Sequence, residues 1–350
     1  MPKVNARMVV ADHWYHGFEE QVTDLVRTFV VEIAGIDPAH HRTPATIQPH
    51  SFQENTVLYS ALTPTRKRQA LRDRIAAPEL TVLPGAFNAL AARMIEQRGF
   101  GGVYISGHMI AADLGLPDLG MTTATEVAMR AQQIARMTDL PAVVDADTGF
   151  GEPLNVARTV QTLEDAGLAG CHIEDQVNPK RCGHTDGVEV VDADVAVRRI
   201  RAAVAARRDE SFVLIARTDA RAPLGVDAAI ERAHAYLAAG ADVIFPDALD
   251  LDELRQFRAA VPGPLLVNLN EFGRGAPLSQ REAHDLGVDI CIYPMTLMRS
   301  AMGATDRTLR ALRETGAQHG EMAAMQPATE MYEILGNDAY LAFDSSVLES

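Results

Sequence analysis

Between residues 81 and 293 one pattern recurs: a short apolar run rich in β-branched residues, then a longer amphipathic stretch. The runs are Thr81–Leu83, Gly102–Ile105, Ala142–Val144, Gly170–Ile173, Phe212–Ile215, Asp242–Phe245, Leu265–Val267 and Ile290–Tyr293. Their length and composition predict strands. The intervening stretches predict helices, among them Ala89–Gln97, Thr125–Met137, Val156–Ala166, Val195–Ala206, Ala228–Ala238 and Asp252–Ala260. Gly99, Gly167, Gly240 and Gly287 stand where such helices should stop. Eight strand–helix units in series predict an α/β fold, a parallel (β/α)8 barrel of the TIM type. The alternative is an open doubly wound sheet, which needs a reversal of strand order that the sequence does not announce.

Composition narrows the function. Of 350 residues, 47% are hydrophobic and 23% charged, which excludes a disordered or low-complexity chain. The net charge of −15 is the wrong sign for a nucleic-acid-binding face. No apolar run is long enough to cross a membrane, so no membrane role is expected. Cys171, Cys182 and Cys291 form no paired framework, which points to a reducing cytoplasm. Residues 1–60 differ from the rest. They are rich in histidine and proline, with one helix-like stretch over Gly17–Ala34, and read as an N-terminal extension of unknown role. Residues 61–350 then hold the barrel and a C-terminal helical tail.

A barrel of this kind places its active site at the C-terminal ends of its strands. Those ends are polar here: Ser106-Gly107-His108, Asp145-Ala146-Asp147, His172-Ile173-Glu174-Asp175, Arg217-Thr218-Asp219, Asp247 and Asn268-Leu269-Asn270-Glu271. Any one of them has a bland explanation as a strand-end cap or ion pair, but the coincidence of several does not. Strand alternation should put Asp145 with Asp147, and His172 with Glu174, on shared faces. Clustered carboxylates suit a hard divalent cation, with Asp145 the direct ligand and Asp147, Glu174 and Asp118 around its waters. Without the cation, like charges should leave some acids protonated or paired with arginine. Cys171 and Cys291 lie inside apolar runs and read as core residues. Cys182 follows Lys180 and Arg181 and precedes Gly183 and His184, which fits either a reactive thiol or a surface cysteine among solvated charges.

The run Lys180-Arg181-Cys182-Gly183-His184 after His172-Ile173-Glu174-Asp175-Gln176 resembles the signature of the isocitrate lyase/phosphoenolpyruvate mutase superfamily. The Lys-Arg form of the loop is typical of its methylisocitrate lyase branch. The resemblance runs from about Leu58 to Tyr340. It passes through Pro84–Asn88, Leu116–Gly120, Asp145–Gly151, Asn155–Val160, Ala216–Ala220 and Asn270–Gly273. It implies a Mg²⁺-dependent lyase, with Mn²⁺ as a substitute, that cleaves 2-methylisocitrate to pyruvate and succinate, a step of propionate catabolism. Asp145, Asp147, Asp118, His172 and Glu174 would surround the metal. Ser106, Gly107 and His108 would hold the pyruvyl carboxylate, and Tyr104 would partner the hydroxyl proton. Cys182 would protonate the succinyl carbanion, and Arg217 would bridge carboxylate and reacting oxygen. Gly183, His184, Asn268 and Arg299 would bind the succinyl carboxylates. A homotetramer with C-terminal helices exchanged between subunits is also implied. His108, Asp247 and Asn270 depart from the family pattern, where glycine, glutamate and threonine are common. These substrate-pocket positions leave isocitrate or a substituted malate such as 2,3-dimethylmalate as alternative substrates. A non-catalytic barrel that binds a partner is the reading of another class.

Overall fold

The computed structural model describes residues 59–183, 185–273, 275 and 277–348. The expectations for the N-terminal extension and for His184 therefore lie outside the described residues. Helix α1 (Pro64–Ala76) opens at Thr63, whose hydroxyl accepts from the Arg66 amide. The strand–helix series follows: β1 (Thr81–Pro84), α2 (Ala89–Gln97), β2 (Val103–Ile105), α3 (Gly107–Asp113), α4 (Ala124–Ala135), β3 (Ala142–Asp145), α5 (Pro153–Asp165) and β4 (Gly170–Glu174). Next come α6 (Ala193–Ala206), β5 (Val213–Thr218), α7 (Arg221–Leu224), α8 (Val226–Ala238), β6 (Val243–Pro246), α9 (Leu251–Ala260), β7 (Leu266–Asn268), α10 (Gln280–Asp285) and β8 (Ile290–Tyr293). The tail holds α11 (Thr296–Thr315), α12 (Ala328–Leu335) and α13 (Asn337–Leu348). Each predicted strand is present, with ends shifted by at most three residues. Gly99, Gly167, Gly240 and Gly287 have φ of 74°, 83°, 103° and 77°, the left-handed turn for which glycine is suited.

All strands pair in parallel, in two ladders ordered β2-β3-β4-β5-β6 and β1-β8-β7. Both seams are bridged: Gly85 pairs with Tyr104 and Ile244 with Leu265. The Ala86 amide donates to Tyr104 O (2.9 Å) and the Ile244 amide to Pro264 O (3.0 Å). The ring is thus closed, as the strand–helix series predicts, and among the described residues it leaves no barrel strand with an open edge.

Side-chain alternation divides the core in two. Leu83, Tyr104, Val143, Val213, Ile215, Val243, Phe245, Leu266, Ile290 and Ile292 fill the barrel interior, closed at one end by Leu71 of α1. Val103, Ile105, Val144, Cys171, Ile173, Leu214, Ile244, Val267 and Cys291 face the helices. Cys171 and Cys291 are fully buried there, and burial pushes both thiols up, Cys291 to about 12. In contrast, α11 and α13 hold no fully buried residue among those described, and on α11 Leu297 and Met298 at its start pack partly against the core. Among the described residues, no helix is long and apolar enough to cross a membrane.

Candidate active site

The interior parity of each strand, carried past its C-terminal end, predicts which polar side chains converge. Tyr104 leads to Ser106, Val143 to Asp145, Ile215 to Arg217, Phe245 to Asp247 and Leu266 to Asn268, each two residues on. Ser106, Asp145 and Asp247 are buried, as are His172 and Glu174 on β4. One cavity at this end is lined by Tyr104, Ser106, His108, Asp118, Asp145, Lys180, Arg181, Cys182, Gly183, Arg217, Asn268 and Asn270, floored by Phe245 and Ile292. Cys182 therefore borders the same space as Asp145.

Asp147 joins Asp145 by a turn, not by the pleat that strand alternation suggested. It lies beyond β3 at φ +45°, and its amide donates to Asp145 Oδ1 (3.0 Å). The Gly107 amide, expected to hold a substrate carboxylate, donates to Asp145 Oδ2 instead (3.1 Å). The cause is α3, a helix not foreseen in the sequence, which starts directly after Ser106 and aims its first amide at that carboxylate. A Cβ at Gly107 would sit 2.9 Å from Asp145 Oδ2 and 3.1 Å from Asp147 Oδ1, so only glycine lets the backbone approach this closely.

Lys180 is the cation of the acidic cluster. Its Nζ lies 2.5 Å from Asp118 Oδ1 and 3.0 Å from Asp147 Oδ1. Although it stands two residues before Cys182, it is committed to carboxylates. Arg217 is held on two sides: Nε and Nη2 donate to Asp219 (3.0 and 2.7 Å), and Nη2 to Asp247 Oδ2 (3.0 Å). Glu174 Oε2 lies 3.4 Å from Arg217 Nε. Asp247, expected to bind substrate, pairs with the arginine at the edge of this cavity, beside Gly183. Arg299 likewise stands back, donating to Asn270 Oδ1 and Glu271 Oε2 (3.1 Å each).

His172 does not share the role of the carboxylates. Its Nε2 is 2.7 Å from the Tyr104 hydroxyl and 3.4 Å from Asp145 Oδ1. Burial lowers it to about 4 against the opposing pull of Asp145, so the ring is neutral at pH 7. Burial also keeps the Tyr104 phenol protonated well above its ordinary range. Burial alone would raise Asp145, but His172, Lys180 and Arg217 outweigh it and hold the group down to about 2. For Asp147 burial wins over Lys180, and Asp145 adds to it, giving about 6. Burial raises Glu174 well above its ordinary value despite Arg217.

The mouth therefore carries more carboxylates than Lys180 and Arg217 can neutralise. Glu174 Oε1 is buried with no hydrogen-bond partner among the described residues. Such a buried acceptor calls for a cation or water. The oxygen donors of Asp145, Asp147, Glu174 and Asp118 fit Mg²⁺ or Mn²⁺.

Two strand-end residues to which the sequence assigned no role support this arrangement. Asp219 grips Arg217, and burial raises it to about 6 despite that partner. Asp175, at outward parity after Glu174, accepts from Thr218 Oγ1, the Asp219 amide and Tyr236 Oη (2.8 Å each) and from Arg232 (3.1 Å). The available signal was Arg232 and Tyr236, one turn apart on the otherwise apolar face of α8.

Residues 71–313 match the family model described as phosphoenolpyruvate phosphomutase. A Corynebacterium glutamicum protein named probable 2-methylisocitrate lyase 2 is 57% identical over 82% of this chain and 94% of its own. The 2-methylisocitrate lyase of Escherichia coli is 43% identical over 73% and 88%. Among solved structures, oxaloacetate acetylhydrolase with 3,3-difluorooxalacetate superposes with a TM-score of 0.77 at 35% identity, over 82% of this chain and 98% of that one. A 2,3-dimethylmalate lyase gives 0.75 at 34%, over 82% and 96%. Phosphonopyruvate hydrolase in complex with oxalate and Mg²⁺ gives 0.74 at 32%, over 82% and 100%.

Proposed function

The chain belongs to the phosphoenolpyruvate phosphomutase family, and from that premise we propose that it is a carbon–carbon lyase cleaving 2-methylisocitrate to pyruvate and succinate. The observation that carries this reading is the cysteine: Cys182 lines the same cavity as Asp145 and Arg217. A carbon–carbon cleavage needs two proton movements, one off the substrate hydroxyl and one onto the carbon left behind.

Asp145 would hold Mg²⁺ directly, with Asp147 and Glu174 around its waters; Asp118, whose Oδ1 takes Lys180, would reach it only through water. The bound ion supplies Lewis-acid polarisation of the substrate hydroxyl and carboxylate oxygens. Tyr104 cannot act as a base alone, because burial keeps its phenol protonated. Paired with His172 it can: the phenol takes the substrate proton as it passes its own to Nε2, 2.7 Å away. The imidazolium so formed stands 3.4 Å from Asp145, which stabilises it. Cys182 then delivers its thiol proton to the succinyl carbon. Arg217, fixed by Asp219 and Asp247, binds substrate carboxylate and the reacting oxygen. Each charge-assisted hydrogen bond there contributes about 1.5–3 kcal/mol. Ser106 Oγ, Asn268, Asn270 and the Gly183 backbone offer further donors along the cavity wall.

The barrel is read as the subunit of a cytoplasmic homotetramer. The largely unburied α11 and α13, with exposed Met302, Leu309, Leu341 and Phe343, support exchange of these helices with a neighbour.

Incubating the full chain with Mg²⁺ and 2-methylisocitrate and following pyruvate tests the reading. Release of pyruvate from this substrate supports it. Turnover of isocitrate, 2,3-dimethylmalate or oxaloacetate alone replaces it with a sister activity, and no turnover of any overturns it.

A further inference from the structure

Three segments meet at the cavity mouth beside the carboxylates. His108 comes from the first turn of α3, Asp118 from the loop before α4, and Cys182 from the loop after β4. One ligand atom from each lies within 4.8 Å of the other two. Asp118 divides its oxygens: Oδ1 takes Lys180 at 2.5 Å, and Oδ2 faces His108 Nδ1 at 3.7 Å.

This donor set differs in kind from its neighbour. Asp145, Asp147 and Glu174 present oxygen alone, which suits a hard cation. His108, Asp118 and Cys182 present nitrogen, oxygen and sulfur, the set that favours a borderline-soft one. We propose that His108, Asp118 and Cys182 form a second metal site, for a thiophilic divalent cation of the zinc class, with its fourth position open to water.

The geometry requires little movement. Zinc bonds of about 2.0–2.3 Å put ligand atoms roughly 3.3–3.8 Å apart, so the widest separation closes by about 1 Å. Cys182 is half-buried on a loop and the His108 ring is partly exposed, so side-chain rotation supplies it. Lys180 on the far oxygen of Asp118 orients that carboxylate, as outer partners of metal ligands do. On coordination the thiol proton is released to solvent and the sulfur binds as thiolate. The site rests on this juxtaposition alone. Its consequence rests on the proposed reaction: a thiol tied to a cation cannot protonate the leaving carbon, so occupancy inhibits turnover.

Co²⁺ is the probe, added to the full chain in excess Mg²⁺ so that the oxygen site is filled. The expected result is one Co²⁺ per chain, with thiolate-to-cobalt charge-transfer absorption and the intense visible bands of tetrahedral cobalt. Zn²⁺ should bleach both. Cys182→Ser should abolish the charge-transfer band, and His108→Ala should weaken Co²⁺ binding about 10-fold or more, with folding checked by circular dichroism. A spectrum without a sulfur band, or His108→Ala binding Co²⁺ as the parent does, overturns the site. If the cobalt signature is present in protein that releases no pyruvate, the site stands and the lyase reading falls. If the signature is present and Zn²⁺ leaves pyruvate release unchanged, the inhibitory role falls.

Discussion

Gly183→Ala tests whether the cysteine loop is seated on the arginine clamp. A Cβ at this position would fall inside contact distance of Asp247 Oδ2, 2.5 Å from Arg217 Nη2 and 2.6 Å from Asp219 Oδ1. Gly183 is not among the glycines with positive φ, so alanine can adopt its backbone angles and the effect is one of space. Ordinary contacts are near 3.5 Å, so the loop must withdraw by about 1 Å. Arg217, Asp219 and Asp247 cannot yield instead, because each holds the others in place. Cys182 is the adjoining residue and moves with the loop. A misplacement of about 1 Å at a reacting group costs about 10²-fold in rate, or about 2.7 kcal/mol. The assay is kcat/KM for pyruvate release at saturating Mg²⁺, with thermal melting as the control for folding. The melting temperature should hold, since the loop adds little to the core. If the alanine variant kept kcat/KM within about threefold, the loop would not seat on Arg217 during turnover, and the assignment of Gly183 would fail.

Other outcomes follow from the same structure. Cys182→Ser should retain Mg²⁺ affinity while losing about 10²–10⁴-fold in kcat; normal turnover would remove the general-acid role. Gly107→Ala should weaken Mg²⁺ binding by about 10-fold or more by titration calorimetry, because the new Cβ crowds both Asp145 and Asp147. Lys67 is buried beneath the barrel, donating to Ala135 O and Thr138 O (2.8 and 2.5 Å), and burial lowers it to about 8 against Asp139 and Glu96. Between pH 8 and about 10.5 the unfolded chain therefore binds more protons than the folded one, so this residue makes stability rise with pH, by up to about 3 kcal/mol. Lys67→Met should flatten that rise in denaturant melts; an unchanged slope would refute it. Removing residues 316–350 should lower the oligomeric state by light scattering, and an intact parent that is monomeric would end the exchange model.

The strand positions were legible because a barrel strand needs a short apolar run whatever surrounds it. The acids at the strand ends were legible because parity is a local property: the residue two beyond an interior-facing one faces inward again. Parity failed at Asp147, where the chain had left the strand, and a left-handed turn brought the carboxylate back. For Asp247 parity gave the direction but not the neighbour, Arg217, against which the structure sets it. Lys180 was seen, but not its partners, because ion pairing depends on which loops meet. Asp175 and Asp219 went unassigned for the same reason: their partners lie two residues away or on helix α8, and sequence spacing does not encode that approach.

The order of apolar runs, helices and stopping glycines by itself determined a closed parallel barrel and the end at which its polar groups gather, since burial of apolar surface and backbone hydrogen bonding leave that series few alternatives. Only the tertiary structure decided which charges neutralise each other, which amide faces Asp145, and that sulfur, imidazole and carboxylate from three segments share one mouth. Those are distances between residues remote in sequence, and at such range an ångström separates a bond from a void.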